Sequence, residues 1–478
     1  MKADEYLSYD AIGLADLVAR REVSPEEVLD AAIGQVDALD PEINAFVARC
    51  DDAARSAIAA GLPDGPLRGV PYALKDLNAH VAGVPNTNGC RLFADMVSSV
   101  DSESVARIRA AGIVIIGKTN TPAFGTSPST EPVLFGATHN PWDLSYSAGG
   151  SSGGAAAAVA SGMLPAAHAT DGGGSIRIPA SACGLFGLKT TRHRITLAPY
   201  AGEGWGGMSV GHAVTRTVRD SALLLDLTSM PFPGDPAIAP QPHRPYLDEV
   251  SIEPGRLRIG LLDTPVTPGV VVDAEVLAAL GDAARLCEQL GHSVIPTEWP
   301  ELPVRPAAVM SVLTSANIAA SVDDRLAILG REEREDDLDV WMRTIVEAGR
   351  SLPATAYARA IAGIHAIGRA LAAWMSEFDV LLTPTMAILP PKLGVLDPMK
   401  PFTESLGVLG EMTGFLSIFN ATGQPAMSVP LGMSSTGLPI GIQFVAPFGD
   451  ESTLFRVAGQ LERAAPWPGL APLASAAG

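Results

Sequence analysis

Apolar and polar positions near the start of the chain alternate with a helical rhythm. In "VSPEEVLDAAIGQVDALD", Val28, Leu29, Ala32, Ile33 and Val36 recur at three- and four-residue spacing, which predicts an amphipathic helix. Ser24 as N-cap, Pro25 at the first helical position and Glu27 completing a capping box mark its start. The first sixty residues as a whole read as helices. "RGVPYALKD" (Arg68 to Asp76) changes the rhythm to a short apolar strand that ends in charge. "DSESVARIRAAGIVIIGKTN" then supplies a capped helix, a stop at Gly112 and the buried strand "IVII". "LRIGLLD" (Leu257 to Asp263), "GHSVIP" and "FDVLLTPT" (Phe378 to Thr385) predict further strands. Helix-then-strand alternation of this kind indicates an α/β fold with strands buried on both faces. Residues 213–375 read as mainly helical, and no repeat of a solenoid is visible.

Composition bounds the picture. A chain of 478 residues is long enough for two or three domains or for one large α/β domain. With 47% hydrophobic and 18% charged residues it builds a large core. The net charge of −19 repels phosphate backbones and anionic lipid, and no local basic patch offsets it, so nucleic acid and membrane are not expected partners. The acidic run "REEREDDLD" (Arg331 to Asp339) is expected to be a solvated helix face. Four cysteines far apart, Cys50, Cys90, Cys183 and Cys287, read as reduced thiols of a cytoplasmic protein. The N-terminus lacks the apolar core of a secretory signal. The Ala/Gly run after Ser152 is interrupted by serine, proline and histidine, which makes it a buried helix and not a membrane span.

Chemistry concentrates in two glycine-serine clusters. The first, "SAGGSSGGAAAAVASG" (Ser147 to Gly162), fits the G-x-S-x-G pattern, but the polar, proline-broken "HNPWDLSYSA" before it is not the apolar strand that a nucleophile elbow needs. A phosphate loop is also unsupported, because no Gly-Lys-Ser/Thr follows. In the second cluster, "TDGGGSIRIPA", the backbone N–H groups of Gly172, Gly173, Gly174 and Ser175 can turn toward one point, as an oxyanion hole requires. A serine there is a plausible nucleophile and needs a base. The eight histidines carry no supporting motif. Lys75, closing the apolar run "GVPYAL", is the other option, either as a desolvated neutral base or as a surface lysine snorkelling past the strand. No H-E-x-x-H and no Cys/His cluster points to a metal.

These residues resemble the amidase signature hydrolases through nearly the whole chain. "GVPYALKD", "GKTNTP", "GATHNPWD", "GGSSGGAAAAVASG", "TDGGGSIRIPASACGLFGLK", "TRTVRDSALLLD", "FDVLLTPT", "NATGQPAMSVPLG" and "GLPIGIQFVA" stand in the family's order. The resemblance implies a Ser–cis-Ser–Lys triad: Ser175 as nucleophile, Lys75 as ultimate base, and Ser151 as a proton-shuttling serine preceded by a cis peptide bond. Gly150 and Gly153 on either side relieve crowding. The 24-residue spacing between Ser151 and Ser175 fits the family. Ser152, Asp171 and Arg177 are implied to hold the loops, and Gly172, Gly173 and Gly174 to form the oxyanion hole.

The resemblance implies one amidase signature domain over 1–478, an α/β fold with a mixed central sheet covered by helices on both faces. Its parts are N-terminal helices (1–65), a signature core (66–212), a mainly helical insertion (213–375) and a C-terminal part of the core (376–478). The sequence departs from the family after "GLK", where Thr190, Thr191, His193 and Arg194 replace the usual Pro-Thr and Gly-Arg. The glycine-rich stretch Thr196 to Gly211 is expected to form a mobile wall of the substrate site, with Phe124, Tyr200 and Trp205 as substrate-binding residues. Within the family, the match points to stand-alone bacterial amidases of the 6-aminohexanoate cyclic-dimer hydrolase, aryl acylamidase and carbamate-cleaving (urethanase) kinds. The expected reaction is hydrolysis of an amide or anilide, with a carbamate or ester next, through an acyl-enzyme. Water is the second substrate, no cofactor or metal is implied, and a homodimer is in keeping with the family. The alternative is a glutaminase subunit of an amidotransferase assembly. The strong acidity argues against it, as does "KDL" at Lys75 to Leu77 where those subunits carry Lys-Asp-Asn.

Overall fold

A computed structural model describes residues 1–476, with side chains placed to residue 474. Its strands are β1 (Phe46–Arg49), β2 (Pro71–Lys75), β3 (Val114–Thr119), β4 (His139–Asn140), β5 (Asp143–Ser147), β6 (Ala166–Asp171), β7 (Phe186–Lys189), β8 (Val210–Thr215), β9 (Arg258–Leu261), β10 (Ser293–Pro296), β11 (Val380–Pro384), β12 (Ala426–Met433) and β13 (Pro439–Val445). Eleven of them form one sheet in the order β1-β3-β2-β6-β8-β7-β12-β13-β11-β9-β10, while β4 and β5 make a separate ribbon. The sheet is mixed: β2 runs parallel to β3 and β6, and β9 to β10 and β11, whereas β12 and β13 are antiparallel.

Strand sequence explains why helices cover both faces. Every residue of β2, β3, β6, β8, β11 and β13 is buried, so neither face of the central strands meets water. On β13, Ile440, Ile442 and Phe444 join one apolar cluster. The alternate positions Gly441 and Gln443 meet the helix Arg177–Cys183, through Ser181 and Arg177. The helix Gly153–Ala160 is buried at all eight positions, as its small, uncharged side chains require. Among the described residues no helix is long and apolar enough to cross a membrane.

Two sequence expectations change. The N-terminal region contains a strand as well as helices, because β1 pairs antiparallel with β3 at one sheet edge. The strands expected at Leu257 to Asp263 and in "GHSVIP" form as β9 and β10 and join the same sheet. The acidic run Arg331 to Asp339 is a loop, not a helix. Gly330 ends the preceding helix in the left-handed region, and the Asp339 side chain accepts from Met342 N–H to start the next one. Arg331 pairs with Asp337 inside the loop. Aspartates serve better as caps and turn formers than as helix-interior residues, which outweighs the charge pattern here.

Candidate active site

Parallel pairing of β2 with β6, Ala73 opposite Ala167, brings the carboxyl ends of both strands to one edge of the sheet. Lys75 ends β2, and Asp171 ends β6 and leads into Gly172–Ser175. The serine pair Ser151–Ser152 stands at the start of the helix Gly153–Ala160, which immediately precedes β6. The Ser152 N–H donates to the Ser175 carbonyl at 3.3 Å, joining the two glycine-serine loops. The Gly150–Ser151 peptide bond is cis. A Cβ on Gly150 would stand 2.7 Å from backbone atoms of Pro128 and Ser129, so this position admits only glycine.

Lys75 has no solvent exposure and meets three hydroxyls: Ser151 Oγ at 2.7 Å, Ser152 Oγ at 2.9 Å and Thr170 Oγ1 at 2.9 Å. Burial pulls its ammonium well below the ordinary lysine range, and the nearby Asp171 carboxylate only partly opposes this. The surface-lysine alternative is thereby excluded. Burial also lowers two further lysines, Lys118 to about 8 and Lys189 to about 7. Among the described residues no histidine lines the cleft described below.

Asp171 is the hub of the second cluster. Burial alone would push its carboxyl up, but the Arg177 guanidinium outweighs that and holds it well below the usual carboxylate range. Arg177 donates Nε to Oδ2 at 2.9 Å and Nη2 to Oδ1 at 2.8 Å. Its remaining donors reach Asn420 Oδ1 and Gln443 Oε1, each at 2.7 Å, and the Leu416 carbonyl at 3.2 Å. Asn420 Nδ2 in turn donates to Asp171 Oδ1 at 2.9 Å. The C-terminal motifs "NATGQPAMSVPLG" and "GLPIGIQFVA" thus complete this network. The oxyanion expectation narrows, because the Gly174 N–H donates to Asp171 Oδ1 at 2.8 Å. Gly172, Gly173 and Ser175 line the cleft, and Gly174 does not.

That cleft encloses about 350 Å³. Ser175, at 9% exposure, lies in its wall, with Trp205, Met310, Thr344 and Phe402 among the facing residues. Trp205 covers Gly172 so closely that a Cβ there would come 2.6 Å from its ring. The other two aromatic candidates lie elsewhere. Phe124 is buried edge-on against Phe93 in an apolar cluster. Tyr200 stacks on His80 at 3.7 Å, and its hydroxyl donates to the Val100 carbonyl at 2.8 Å. The departing segment after "GLK" is structural: Thr191 N–H and Arg194 both bond Glu451, away from the cleft.

Thr170 was missed by the sequence reading, as were Asn420 and Gln443. Thr170 precedes Asp171 on a fully buried strand, and only the pairing of β2 with β6 brings it to Lys75. A family model described as Amidase matches residues 27–455. A 6-aminohexanoate-cyclic-dimer hydrolase of Pseudomonas sp. (strain NK87) is 38% identical over 471 residues, covering 96% of this chain and 95% of that protein. The solved structure of a 6-aminohexanoate cyclic dimer hydrolase complexed with substrate superimposes with a TM-score of 0.92 at 37% identity, covering 98% of this chain and 99% of the other. A bacterial aryl acylamidase of the amidase signature enzymes superimposes at 0.86 with 28% identity, covering 96% of each chain. The chain therefore belongs to the amidase signature family, enzymes that hydrolyse carbon–nitrogen bonds other than peptide bonds.

Proposed function

We propose that this amidase cleaves small-molecule amides, cyclic or linear and including anilides, through an acyl-enzyme on Ser175, with carbamates open to the same attack. The observation that carries the reading is the buried Lys75 amine, 2.7 Å from Ser151 Oγ in surroundings that disfavour its charge. The Ser152 hydroxyl donates to the Thr170 carbonyl at 3.2 Å, so toward Lys75 it accepts. A neutral amine has two N–H bonds and one lone pair. With Ser152 and Thr170 accepting, the lone pair is left facing the Ser151 hydroxyl.

Ser175 Oγ attacks the carbonyl carbon while its proton passes to Ser151 Oγ, and the Ser151 proton passes to Lys75 Nζ. The carbonyl oxygen becomes an oxyanion held by backbone N–H groups of the Gly172–Ser175 loop. As the C–N bond breaks, the proton returns from Lys75 through Ser151 to the leaving nitrogen. An ester on Ser175 remains. Water then adds to that ester, giving its proton to the same relay, and the Ser175–acyl bond breaks to release the acid and restore Ser175. Asp171 and Arg177 touch no reacting atom and act as positioning residues for the loop. The four unpaired cysteines, three of them buried, support a cytoplasmic setting.

The test is turnover of an acetanilide, a short alkyl amide, an ester and an aryl carbamate by the wild type, Ser175→Ala and Lys75→Ala. Mass spectrometry of the quenched wild type completes it. The expected result is hydrolysis that both variants lose by about 10³-fold or more, with an acyl increment on the Ser175 peptide. An active Ser175→Ala variant would falsify the assignment.

A further inference from the structure

The walls of the cleft carry no charge. Its lining is glycine, proline, alanine, apolar and hydroxyl side chains, without one Asp, Glu, Lys, Arg or His among the described residues. The charged groups of the reaction centre do not reach it either. Lys75, Asp171 and Arg177 are each shielded to 1% exposure or less, and Asp171 and Arg177 neutralise each other. Ser311, Thr314 and Ser417 supply neutral hydrogen-bonding capacity on the walls. Met310, on the helix Pro306–Leu329 that also carries Ser311 and Thr314, stands 3.7 Å from the Cβ position of Gly173, and Thr314 lies one turn farther along, about 6 Å. A substrate reacting at Ser175 is therefore enclosed by surfaces that can hydrogen-bond but cannot pair an ion.

The charge around this neutral cleft is negative in balance. The net charge is −19. The helices and the turn that build the walls carry Asp323, Asp324, Glu347, Glu404 and Glu411 against Arg325, Arg343 and Arg350. Of these, Arg343 is turned to the Glu335 and Leu338 carbonyls. A carboxylate entering the cleft loses water without gaining a partner, and meets a repulsive field on the way. A cation suffers the first cost only.

Resting on the hydrolase reading above, we propose that the enzyme selects substrates whose acyl and leaving halves are both uncharged, in the order neutral, then cationic, then anionic. Zwitterions such as free glutamine and linear amino-acid oligomers short enough to place a terminus in the cleft are excluded as good substrates. The order follows from the walls and the field, independently of the triad chemistry.

The experiment uses three 4-nitroanilides whose acyl chains have the same length and end in an N-methyl amide, a trimethylammonium or a carboxylate. Released nitroaniline gives kcat/KM at about 0.01 M and about 1 M salt, where the screening length is about 30 Å and about 3 Å. The neutral compound is expected to lead the carboxylate by at least about tenfold, the equivalent of about 1.4 kcal/mol. The carboxylate alone should gain several-fold at high salt. In Thr344→Lys, on a helix wall of the cleft, the neutral-to-carboxylate ratio should fall by about tenfold, since a cation now stands in the lining. Equal turnover of the three compounds by the wild type overturns the selectivity while leaving the hydrolase standing. So does an unchanged ratio in Thr344→Lys that still cleaves the neutral compound. If that variant does not fold, the wild-type salt series decides alone. No turnover of any compound, with no acylated Ser175, overturns the hydrolase reading and this proposal with it.

Discussion

Arg177 and Asp171 form a two-bonded ion pair in which neither side chain has any solvent exposure. The guanidinium is held by Asn420 and Gln443, more than 200 residues away in sequence, while the carboxylate holds the N–H groups of Gly174 and Ile176. The pair therefore ties the loop that carries Ser175 to the far half of the sheet. Arg177→Met leaves a buried carboxylate without its partner, and should cost about 3–5 kcal/mol of stability. Removing both charges, as Arg177→Met with Asp171→Leu, should recover part of that loss. It should not recover activity, because the loop N–H groups no longer have an acceptor. Thermal unfolding and kcat of the wild type and the two variants test this: activity returning with stability would show that the pair serves the fold alone.

In the proposed relay Lys75 gives the reaction an acid limb. Its folded-state pKa lies well below the unfolded value of about 10.4, and only the neutral amine can take a proton from Ser151. The rate should therefore fall as pH drops through the folded-state pKa. Stability has a definite sign as well. Between the folded and unfolded values the unfolded chain binds the extra proton, so stability rises with pH across that interval. Lys118 and Lys189, also lowered by burial, contribute with the same sign. Subtracting the stability curve of Lys75→Met from that of the wild type isolates Lys75. A flat difference between pH 7 and 10 would show that Lys75 stays protonated in the fold.

Tyr200 offers a negative control for the cleft. Its ring packs on His80 and its hydroxyl donates to Val100, with 41% of the residue exposed. Tyr200→Phe should lower stability by about 0.5–1 kcal/mol through loss of the hydroxyl's bonds to the Val100 backbone. It should leave kcat/KM within about twofold, a difference below about 0.5 kcal/mol. A larger change in KM would place the loop in contact with substrate.

Local signals were legible in the sequence, and nonlocal ones only where a motif carried them. The capping box at Ser24 and Glu27 is formed as read, because every atom it needs lies within four residues. The strands at Pro71–Lys75, Val114–Thr119 and Val380–Pro384 announced themselves through short apolar runs. Phe46–Arg49 did not: four residues between two helices carry no period, and β1 exists because β3 offers it an edge. Lys75, Ser151 and Ser175 could be named from motif resemblance. Thr170 could not, since its role depends on the register of β2 against β6. Tyr200 and Trp205 share one glycine-rich stretch, and nothing in composition says that only the second turns toward the cleft.

Trp205 and Gly172 give the sharpest test of that loop. The indole lies where a Gly172 side chain would be, at 2.6 Å from the Cβ position, so Gly172→Ala must displace either the ring or the loop backbone proposed above to hold the oxyanion. The substitution should reduce kcat by about 10²-fold or more, the cost of one misplaced oxyanion donor, with a smaller effect on KM. Trp205→Ala alone should act mainly on KM, because it removes a cleft wall and leaves the relay untouched. In the double variant the collision is gone, and kcat should recover relative to Gly172→Ala. A coupling of about 1–3 kcal/mol is expected for two groups in direct contact. Strict additivity would mean that the ring does not press on the loop in solution. The loss in Gly172→Ala would then have to come from the glycine backbone itself.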